Sequence, residues 1–164
     1  ALNAVAPSFI RVEADEVTYN LHIILRFEIE LLIIEGAVRV EELPDVWNTK
    51  MREYLGITPP NDALGVLQDI HWSSGLIGYF PTYSLGNLYA AQFYATARKQ
   101  FPDFDDRLHR GELLFLREWL RGAIHQYGRT LTAGQLVERV TSEPLNPAYL
   151  GAYLRDKYGT LYEL

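Results

Sequence analysis

The chain has 164 residues, of which 48% are hydrophobic and 22% charged, and its formal net charge is −6 with a pI near 5.2. This size and composition are typical of one soluble globular domain with its own core. An acidic chain lacks the basic surface expected of a nucleic-acid-binding protein, and a chain without cysteine has no disulfide and no thiolate metal site. The absence of cysteine favours the cytoplasm, and the first residues show no basic region of a signal peptide.

The longest uninterrupted segment, residues 10–35, contains neither glycine nor proline. Hydrophobic residues occupy every odd position from Val17 to Leu31, which by itself favours a β-strand. Strands seldom exceed about 10 residues, however, so the length predicts one helix over residues 10–35. Because hydrophobic side chains surround this helix, we expect it to be the long buried centre of a multi-helix assembly. Its ionisable side chains exclude a membrane span.

Four polar residues fall on one stripe of this predicted helix, namely Asp15, Thr18, His22 and Arg26. We expect buried acidic partners on neighbouring helices to satisfy His22 and Arg26. Arg11 is a fixed cation at the predicted helix start, beside free backbone N–H groups, and that combination suits an anionic ligand. The alternative for Arg11 is an ordinary ion pair with Asp15, four residues further on.

Capping and breaking residues predict further helices over residues 44–55, 63–72, 82–100, 103–109, 112–127, 132–141 and 147–159. Glycines at 56, 128 and 159 are the expected helix ends, and Thr132 with Gln135 forms a capping box. No segment indicates a sheet. The predicted fold class is therefore all-α, with a single helical region over residues 1–164.

The segment 65–86 is the best candidate for a functional site, because it crowds polar and aromatic side chains into a glycine-rich loop. Its notable residues are Gln68, Asp69, His71, Trp72, Tyr79, Thr82 and Tyr83. The alternative is a well-packed aromatic corner whose hydroxyl groups cap helix ends.

The sequence predicts no metal site within this chain. None of the four histidines, His22, His71, His109 and His125, has a second histidine four residues on, so the HExxH zinc helix is absent. The nucleophile elbow GxSxG, the P-loop and GxGxxG are absent as well. Hydrolysis by residues of this chain alone therefore has no obvious nucleophile or base.

Two spaced motifs give the chain a family resemblance. Residues 10–15 read IRVEAD and match [IV]RxxAD, and residues 65–72 read GVLQDIHW and match GxxQDxHW, followed by GYFPTYSLGNLYAAQ. Over its entire length the chain resembles the C-terminal part of the thermostable zinc carboxypeptidases known as the carboxypeptidase Taq family. The resemblance implies an almost wholly helical, homodimeric enzyme that cuts single residues from peptide C-termini.

The resemblance also implies roles for individual residues. Arg11 would receive the free carboxylate of the substrate, together with Gln68 and Asp69 as substrate-binding residues. His71, Tyr79 and Tyr83 would be catalytic, donating hydrogen bonds to the oxyanion or to the substrate backbone. The zinc ligands and the general-base glutamate of the family precede [IV]RxxAD and are not among these residues.

We therefore expect the missing N-terminal portion of the same enzyme to be a partner of this chain, and the chain alone to be inactive. The zinc belongs to the full-length enzyme, and the remaining partners are peptides with a free C-terminus and a second copy of the protein. The alternative function is a non-catalytic helical scaffold or dimerisation domain. The sequence preceding Ala1 in the gene would discriminate between them.

Overall fold

A computed structural model describes residues 3–164, which form seven α-helices and three short 3₁₀ helices joined by turns. The α-helices are α1 (Tyr19–Ile34), α2 (Leu43–Leu55), α3 (Pro81–Gln100), α4 (Phe104–His109), α5 (Leu114–Ala123), α6 (Ala133–Thr141) and α7 (Ala148–Tyr162). The 3₁₀ helices are Arg11–Glu13, Val40–Glu42 and His125–Tyr127. This part of the chain contains no strand, so the all-α class is confirmed. The chain divides within α3 into two compact units, residues 1–84 and 85–164.

The helix predicted over residues 10–35 begins only at Tyr19, and Asp15 causes the difference. Asp15 Oδ1 accepts hydrogen bonds from the N–H groups of Val17 at 2.9 Å and Thr18 at 3.0 Å, and Oδ2 accepts from the Thr18 hydroxyl at 2.9 Å. A side-chain acceptor of this kind stabilises a turn in competition with the helix. Ala14 is accordingly extended, with ψ 144°, and Arg11–Glu13 forms a separate 3₁₀ turn.

The core of the first unit lies between α1 and α2. Leu25 and Ile29 of α1 are fully buried against a row of α2 side chains spaced four residues apart. That row consists of Leu43, Trp47, Met51 and Leu55. Each such side chain contributes about 1.5–3 kcal/mol relative to an exposed one. α2 ends where predicted, because Gly56 adopts the left-handed conformation at φ 70°.

A second side of α1 is open within residues 3–84. Ile24, Phe27, Leu31 and Ile34 are 39%, 42%, 40% and 66% exposed, and their spacing places them along one side of the helix. We call these four residues the outer stripe. The helix is therefore not covered on nearly all sides by the described residues, contrary to the sequence-based expectation.

The prediction of a helix over residues 63–72 is wrong, since this segment forms successive turns. The Gln68 side chain is one cause, because its Nε2 donates to the carbonyl oxygens of Leu64 at 3.1 Å and Gly65 at 3.2 Å. A helix would use those oxygens for backbone bonds. The predicted cap is also displaced, because Asn61, not Asp62, accepts the bond from the Leu64 N–H group.

The second unit is organised around a buried glutamine and a cluster of aromatic rings. Gln92 of α3 is fully buried, and its Nε2 donates to the Thr141 hydroxyl at 2.9 Å and to the Pro144 carbonyl oxygen at 3.1 Å. Its Oε1 accepts from the Asn146 N–H group at 2.9 Å. The buried Phe104 ring packs edge-on against Tyr94 and Phe115, with centroids 5.5 and 5.4 Å away.

Some helix ends in the second unit agree with the sequence, including the end of α3 at Gln100 and the helix end at Gly128, and others differ. The capping box of Thr132 and Gln135 is present at the start of α6, and α4 follows Asp103 as expected. The helix predicted over residues 112–127 is divided into α5 and a 3₁₀ turn. α7 continues past Gly159 to Tyr162. It ends at Glu163, which adopts the left-handed backbone conformation at φ 57° that was expected of Gly159. No helix in residues 3–164 is long and apolar enough to cross a lipid bilayer.

Candidate functional site

Arg11 is buried, with 6% of its surface exposed, and its guanidinium group is held by the Asp69 carboxylate. Arg11 Nη2 and Nε lie 2.7 and 3.2 Å from Asp69 Oδ1. Arg11 Nη1 donates to the Tyr19 hydroxyl at 3.2 Å, and the guanidinium carbon lies 4.9 Å from the centre of the Tyr83 ring. Arg11 therefore does not begin α1, so that sequence-based expectation is wrong. Its ion-pair partner is Asp69, and the alternative pair with Asp15 is not formed.

Asp69 is shared by two arginines. Its Oδ2 accepts from Arg26 Nε at 2.7 Å, and Arg26 is fully buried in α1. Burial acts to raise the pKa of Asp69, but the hydrogen bond from Arg11 and the charge of Arg26 outweigh it and hold that pKa below its ordinary value. Burial lowers the pKa of Arg26 to about 10, against the raising effect of Asp69, so Arg26 remains charged at neutral pH. The acidic partner expected for Arg26 is present, although it lies in a loop and not on a helix.

Gln68 joins the same two arginines through its amide group. Its Oε1 accepts from the Arg11 backbone N–H group at 2.9 Å and from Arg26 Nη2 at 2.8 Å. Its Nε2 donates to the Phe9 carbonyl oxygen at 2.9 Å, in addition to its bonds within the turn. The adjacent residues Gln68 and Asp69 thus fix both the backbone and the side chain of Arg11.

His71 and Tyr83 form a hydrogen-bonded pair beside this cluster. His71 Nε2 lies 2.9 Å from the Tyr83 hydroxyl oxygen. His71 Nδ1 is buried, has no hydrogen-bond partner among residues 3–164, and lies 3.7 Å from Asp69 Oδ1. The His71 ring packs on the buried Phe80 ring at 4.3 Å and lies 5.7 Å from the ring of Tyr79, which is 44% exposed.

His22 is enclosed behind the cluster on α1. It is fully buried, and neither ring nitrogen bonds to a described residue. Burial, followed by the positive charges of Arg26 and Arg11, lowers the pKa of His22 to about 4, so the imidazole is neutral at pH 7. The acidic partner expected for His22 is absent from residues 3–164.

The structure brings five of the predicted site residues together, namely Arg11, Gln68, Asp69, His71 and Tyr83. Tyr79 lies at the open edge of this group, against His71 and Tyr83. Of the other residues of the segment, Trp72 donates to Glu30 Oε1 at 3.0 Å, and Thr82 donates to the Tyr79 carbonyl oxygen at 2.7 Å. Sequence reasoning missed Tyr19 and Phe80 as neighbours of Arg11, since nothing in their local pattern indicates that contact.

No group of three or more histidine or acidic side chains within residues 3–164 is placed to hold a metal ion. His71 Nε2 is occupied by Tyr83, and His22 is enclosed between charged arginines that repel a cation. The side chains of residues 3–164 therefore do not fit a metal site.

Comparison with known proteins places the chain among the metallopeptidases. The family model described as carboxypeptidase Taq (M32) metallopeptidase matches residues 1–158. Carboxypeptidase 1 of Bacillus subtilis is 49% identical over 164 residues, which are 100% of this chain and 33% of that protein. Thermostable carboxypeptidase 1 of Thermus thermophilus is 50% identical over 162 residues, which are 99% of this chain and 32% of that protein.

Solved structures agree with these matches. The M32 carboxypeptidase from Deinococcus radiodurans R1 is similar with a TM-score of 0.97 at 42% identity, over 100% of this chain and 33% of that one. Metallocarboxypeptidase 1 of Trypanosoma cruzi is similar with a TM-score of 0.92 at 42% identity, over 96% of this chain and 33% of that one. The chain belongs to the carboxypeptidase Taq (M32) metallopeptidase family, as its two motifs predicted. It spans about a third of the length of the curated relatives it matches.

Proposed function

We propose that residues 1–164 are the C-terminal, substrate-binding part of a zinc-dependent carboxypeptidase that releases single residues from peptide C-termini. Family membership supports a metal-dependent peptide hydrolase. The part played by this chain is to bind the free carboxylate of the peptide and to form hydrogen bonds with its backbone.

The observation that carries the proposal is the state of the Arg11 guanidinium group. Of the five N–H donors of an arginine, Asp69 takes two and Tyr19 takes one. One donor on each terminal nitrogen is left without a partner among the described residues. These remaining N–H groups can donate to the oxygens of a carboxylate, the anion whose planar shape arginine is suited to bind.

The charge balance around Arg11 also favours an anion. Arg11 and Arg26 carry two positive charges, and the Asp69 carboxylate between them carries one negative charge. Arg26 is fully buried, whereas Arg11 keeps a small exposed surface. An anionic ligand that reaches Arg11 would balance the remaining positive charge in a partly desolvated place, where charge-assisted bonds are strong.

Gln68 and Asp69 contribute to substrate binding through Arg11. Every hydrogen bond of the Gln68 amide and of the Asp69 carboxylate goes to the protein, so neither group is free to take the ligand directly. Their bonds instead fix the Arg11 backbone and guanidinium group. Positioning of this kind is what a binding site needs to keep a charged side chain in one orientation.

Catalytic roles are proposed for His71, Tyr79 and Tyr83. Tyr83 packs against the Arg11 guanidinium group, and Tyr79 is the most exposed of the three. The two hydroxyl groups can form hydrogen bonds with a peptide backbone or with an oxyanion, whereas His71, with Nε2 bonded to Tyr83 and Nδ1 buried, acts by orienting Tyr83. In the whole protein the metal would be zinc, held by residues outside this chain.

The assembly of the whole protein belongs to the same proposal. We infer a cytoplasmic homodimer in which residues 1–164 form a single helical region together with the N-terminal portion of the enzyme. The absence of cysteine and the exposed outer stripe of α1 support this inference. The outer stripe equally suits the second candidate function, a non-catalytic scaffold or dimerisation domain.

Arg11→Lys in the whole protein tests the proposal. A lysine keeps the charge but not the bidentate geometry of arginine. A charged hydrogen bond contributes about 1.5–3 kcal/mol. The value of kcat/KM on a blocked dipeptide with a free C-terminus should therefore fall by roughly ten- to a hundred-fold. The preference for the free acid over the C-terminal amide should shrink, with metal content unchanged. Arg117→Lys, at a 68% exposed side chain, is the matched control. If Arg11→Lys cleaves the free acid as well as the parent does, the carboxylate role is wrong.

A scaffold function would give a different result. The whole protein, purified with its metal, would then hydrolyse neither the free-acid peptide nor its amide. Activity on the free acid that is lost on metal removal and restored by zinc would exclude the scaffold.

A further inference from the structure

Four side chains of the site form a closed ring. Arg11 Nη2 lies 2.7 Å from Asp69 Oδ1, and the same oxygen lies 3.7 Å from His71 Nδ1. His71 Nε2 lies 2.9 Å from the Tyr83 hydroxyl oxygen, and the Tyr83 ring lies 4.9 Å from the Arg11 guanidinium carbon. Any change at Arg11 therefore has a direct physical route to His71 and Tyr83.

The two oxygens of Asp69 have different duties. Oδ2 accepts from Arg26 Nε at 2.7 Å and only distantly, at 3.5 Å, from Arg11 Nε. Arg26 is fully buried, and it also contacts the His22 carbonyl oxygen, Gln68 and the rings of Trp47 and Phe80. Oδ1 accepts two bonds from Arg11 and is the ion-pairing oxygen facing His71 Nδ1. The buried Nδ1 has no hydrogen-bond partner among residues 3–164, and leaving it so is unfavourable.

We propose that Asp69 Oδ1 couples Arg11 to His71, so that a carboxylate bound at Arg11 favours the neutral His71 tautomer that carries its proton on Nδ1 and donates it to Asp69, the Nε2 proton being released to solvent and the Nδ1 proton taken from it. The coupling rests on the proposed function, because that function supplies the carboxylate. A bound carboxylate shares the positive charge of Arg11, which weakens the hold of Arg11 on Oδ1. Oδ1 then becomes a stronger acceptor for His71 than it was before binding. Nδ1 and Oδ1 are 3.7 Å apart, so a movement of under about 1 Å brings them to hydrogen-bond distance.

The coupling decides how Tyr83 can act. In neutral histidine one ring nitrogen donates and the other accepts, so a proton on Nδ1 makes Nε2 an acceptor. The Tyr83 O–H group then donates to Nε2, and the Tyr83 oxygen presents its lone pairs outward, where it can accept a bond from a substrate N–H group. Binding of the terminal carboxylate thereby selects the form of Tyr83 that recognises the peptide backbone.

The test uses the whole protein with its histidine and arginine side chains labelled with ¹⁵N. N-acetylphenylalanine is the probe, and N-acetylphenylalaninamide, which lacks the carboxylate, is the control. With the acid, the Arg11 Nε–H resonance should shift, and the His71 Nδ1 resonance should move into the range of a protonated, hydrogen-bonded nitrogen. With the amide, neither should change.

Two variants separate the coupling from simple packing. Tyr83→Phe should retain the response at Nδ1, because the route runs through Asp69. Asp69→Asn should lose it, and its circular dichroism spectrum checks that it folds. An Arg11 shift without a His71 response would overturn the coupling and leave the proposed function standing. If neither residue responds to the acid, the carboxylate does not bind at Arg11, and both proposals fail.

Discussion

Arg26 Nε lies 2.7 Å from Asp69 Oδ2, and Arg26 is fully buried in α1. The carboxylate that binds Arg11 through Oδ1 is therefore held through Oδ2 by a buried arginine. Arg26→Met leaves Asp69 paired with Arg11, but it removes the charged donor of Asp69 Oδ2 and one donor of Gln68 Oε1. The free energy of unfolding should therefore fall by about 1.5–3 kcal/mol, measured by urea denaturation. Arg121→Met, at a 75% exposed side chain, is the matched control and should leave the stability of the chain nearly unchanged. Equal effects at the two positions would contradict the buried pair.

The stability of the chain should fall as the pH is lowered from about 6.5 to about 4, because His22 is neutral when buried but takes up a proton when unfolded. The unfolded state binds more protons in this window, so stability is fully present above pH 6.5 and is lost on acidification. The depression of the pKa to about 4 corresponds to a loss of about 3 kcal/mol. Denaturation measured at several pH values checks it.

His22→Gln should flatten the stability profile between pH 5 and 6.5, and His109→Gln, at an exposed position, is its control. The pKa of Asp15 and of Asp69 is held below the ordinary value, so these groups titrate mainly below this window. An unchanged slope in His22→Gln would show that another group is responsible.

Gly159 and Gly56 should respond oppositely to alanine. Gly159 lies inside α7, and a Cβ added there has no atom within 4 Å, so Gly159→Ala should stabilise the chain by about 0.5–1 kcal/mol. Gly56 ends α2 with φ 70°, so Gly56→Ala should destabilise it by about 1–2 kcal/mol. Melting temperatures of the two variants decide this. A destabilised Gly159→Ala would mean that α7 ends at this glycine, as the sequence suggests.

The isolated chain should self-associate through the outer stripe of α1. A row of four exposed apolar side chains on one helix favours contact with another apolar surface. Light scattering should show oligomers at high concentration, and the double variant Phe27→Lys/Leu31→Lys should reduce them. Leu113→Lys/Leu114→Lys, at two exposed leucines of the second unit, is the control. A monomer at all concentrations would refute the prediction.

The isolated chain should also retain no stoichiometric zinc and show no peptidase activity. Its described histidine and acidic side chains form no group that could hold a metal ion. Metal analysis after dialysis, with an assay on a blocked dipeptide, measures both properties. Bound zinc together with activity would contradict the placement of the metal ligands outside this chain.

Local signals account for much of the fold. Gly56 and the pair Thr132 and Gln135 end or begin helices by interactions within a few residues, and the sequence predicts them correctly. Asp15 was missed as a helix breaker because the hydrophobic run around it is so long. The 63–72 segment was mispredicted because Gln68 binds backbone carbonyl groups that a helix would need.

The composition of the loop at residues 65–86 and the two motifs predicted where the site lies. They did not predict which of its residues contact one another. Arg11 and Asp69 are 58 residues apart, and no periodicity links them. The sequence alone therefore placed Arg11 at a helix start and did not indicate its buried partners. Because Arg11 bonds with Asp69 and Tyr19 in a buried place, its replacement also lowers the stability of the chain. This is why the test of Arg11 compares free-acid and amidated peptides in addition to total activity.

Gln92 has a consequence for the dynamics of the second unit. A single buried amide group bonds the Thr141 hydroxyl at the end of α6 and the Asn146 N–H group just before α7. The link between these helices cannot fray independently, since opening it breaks these two hydrogen bonds and a third, to the Pro144 carbonyl oxygen, at once. Native-state hydrogen exchange at Asn146 should therefore occur by a cooperative opening that also involves the C-terminal turn of α6, and the two helices should behave as one foldon.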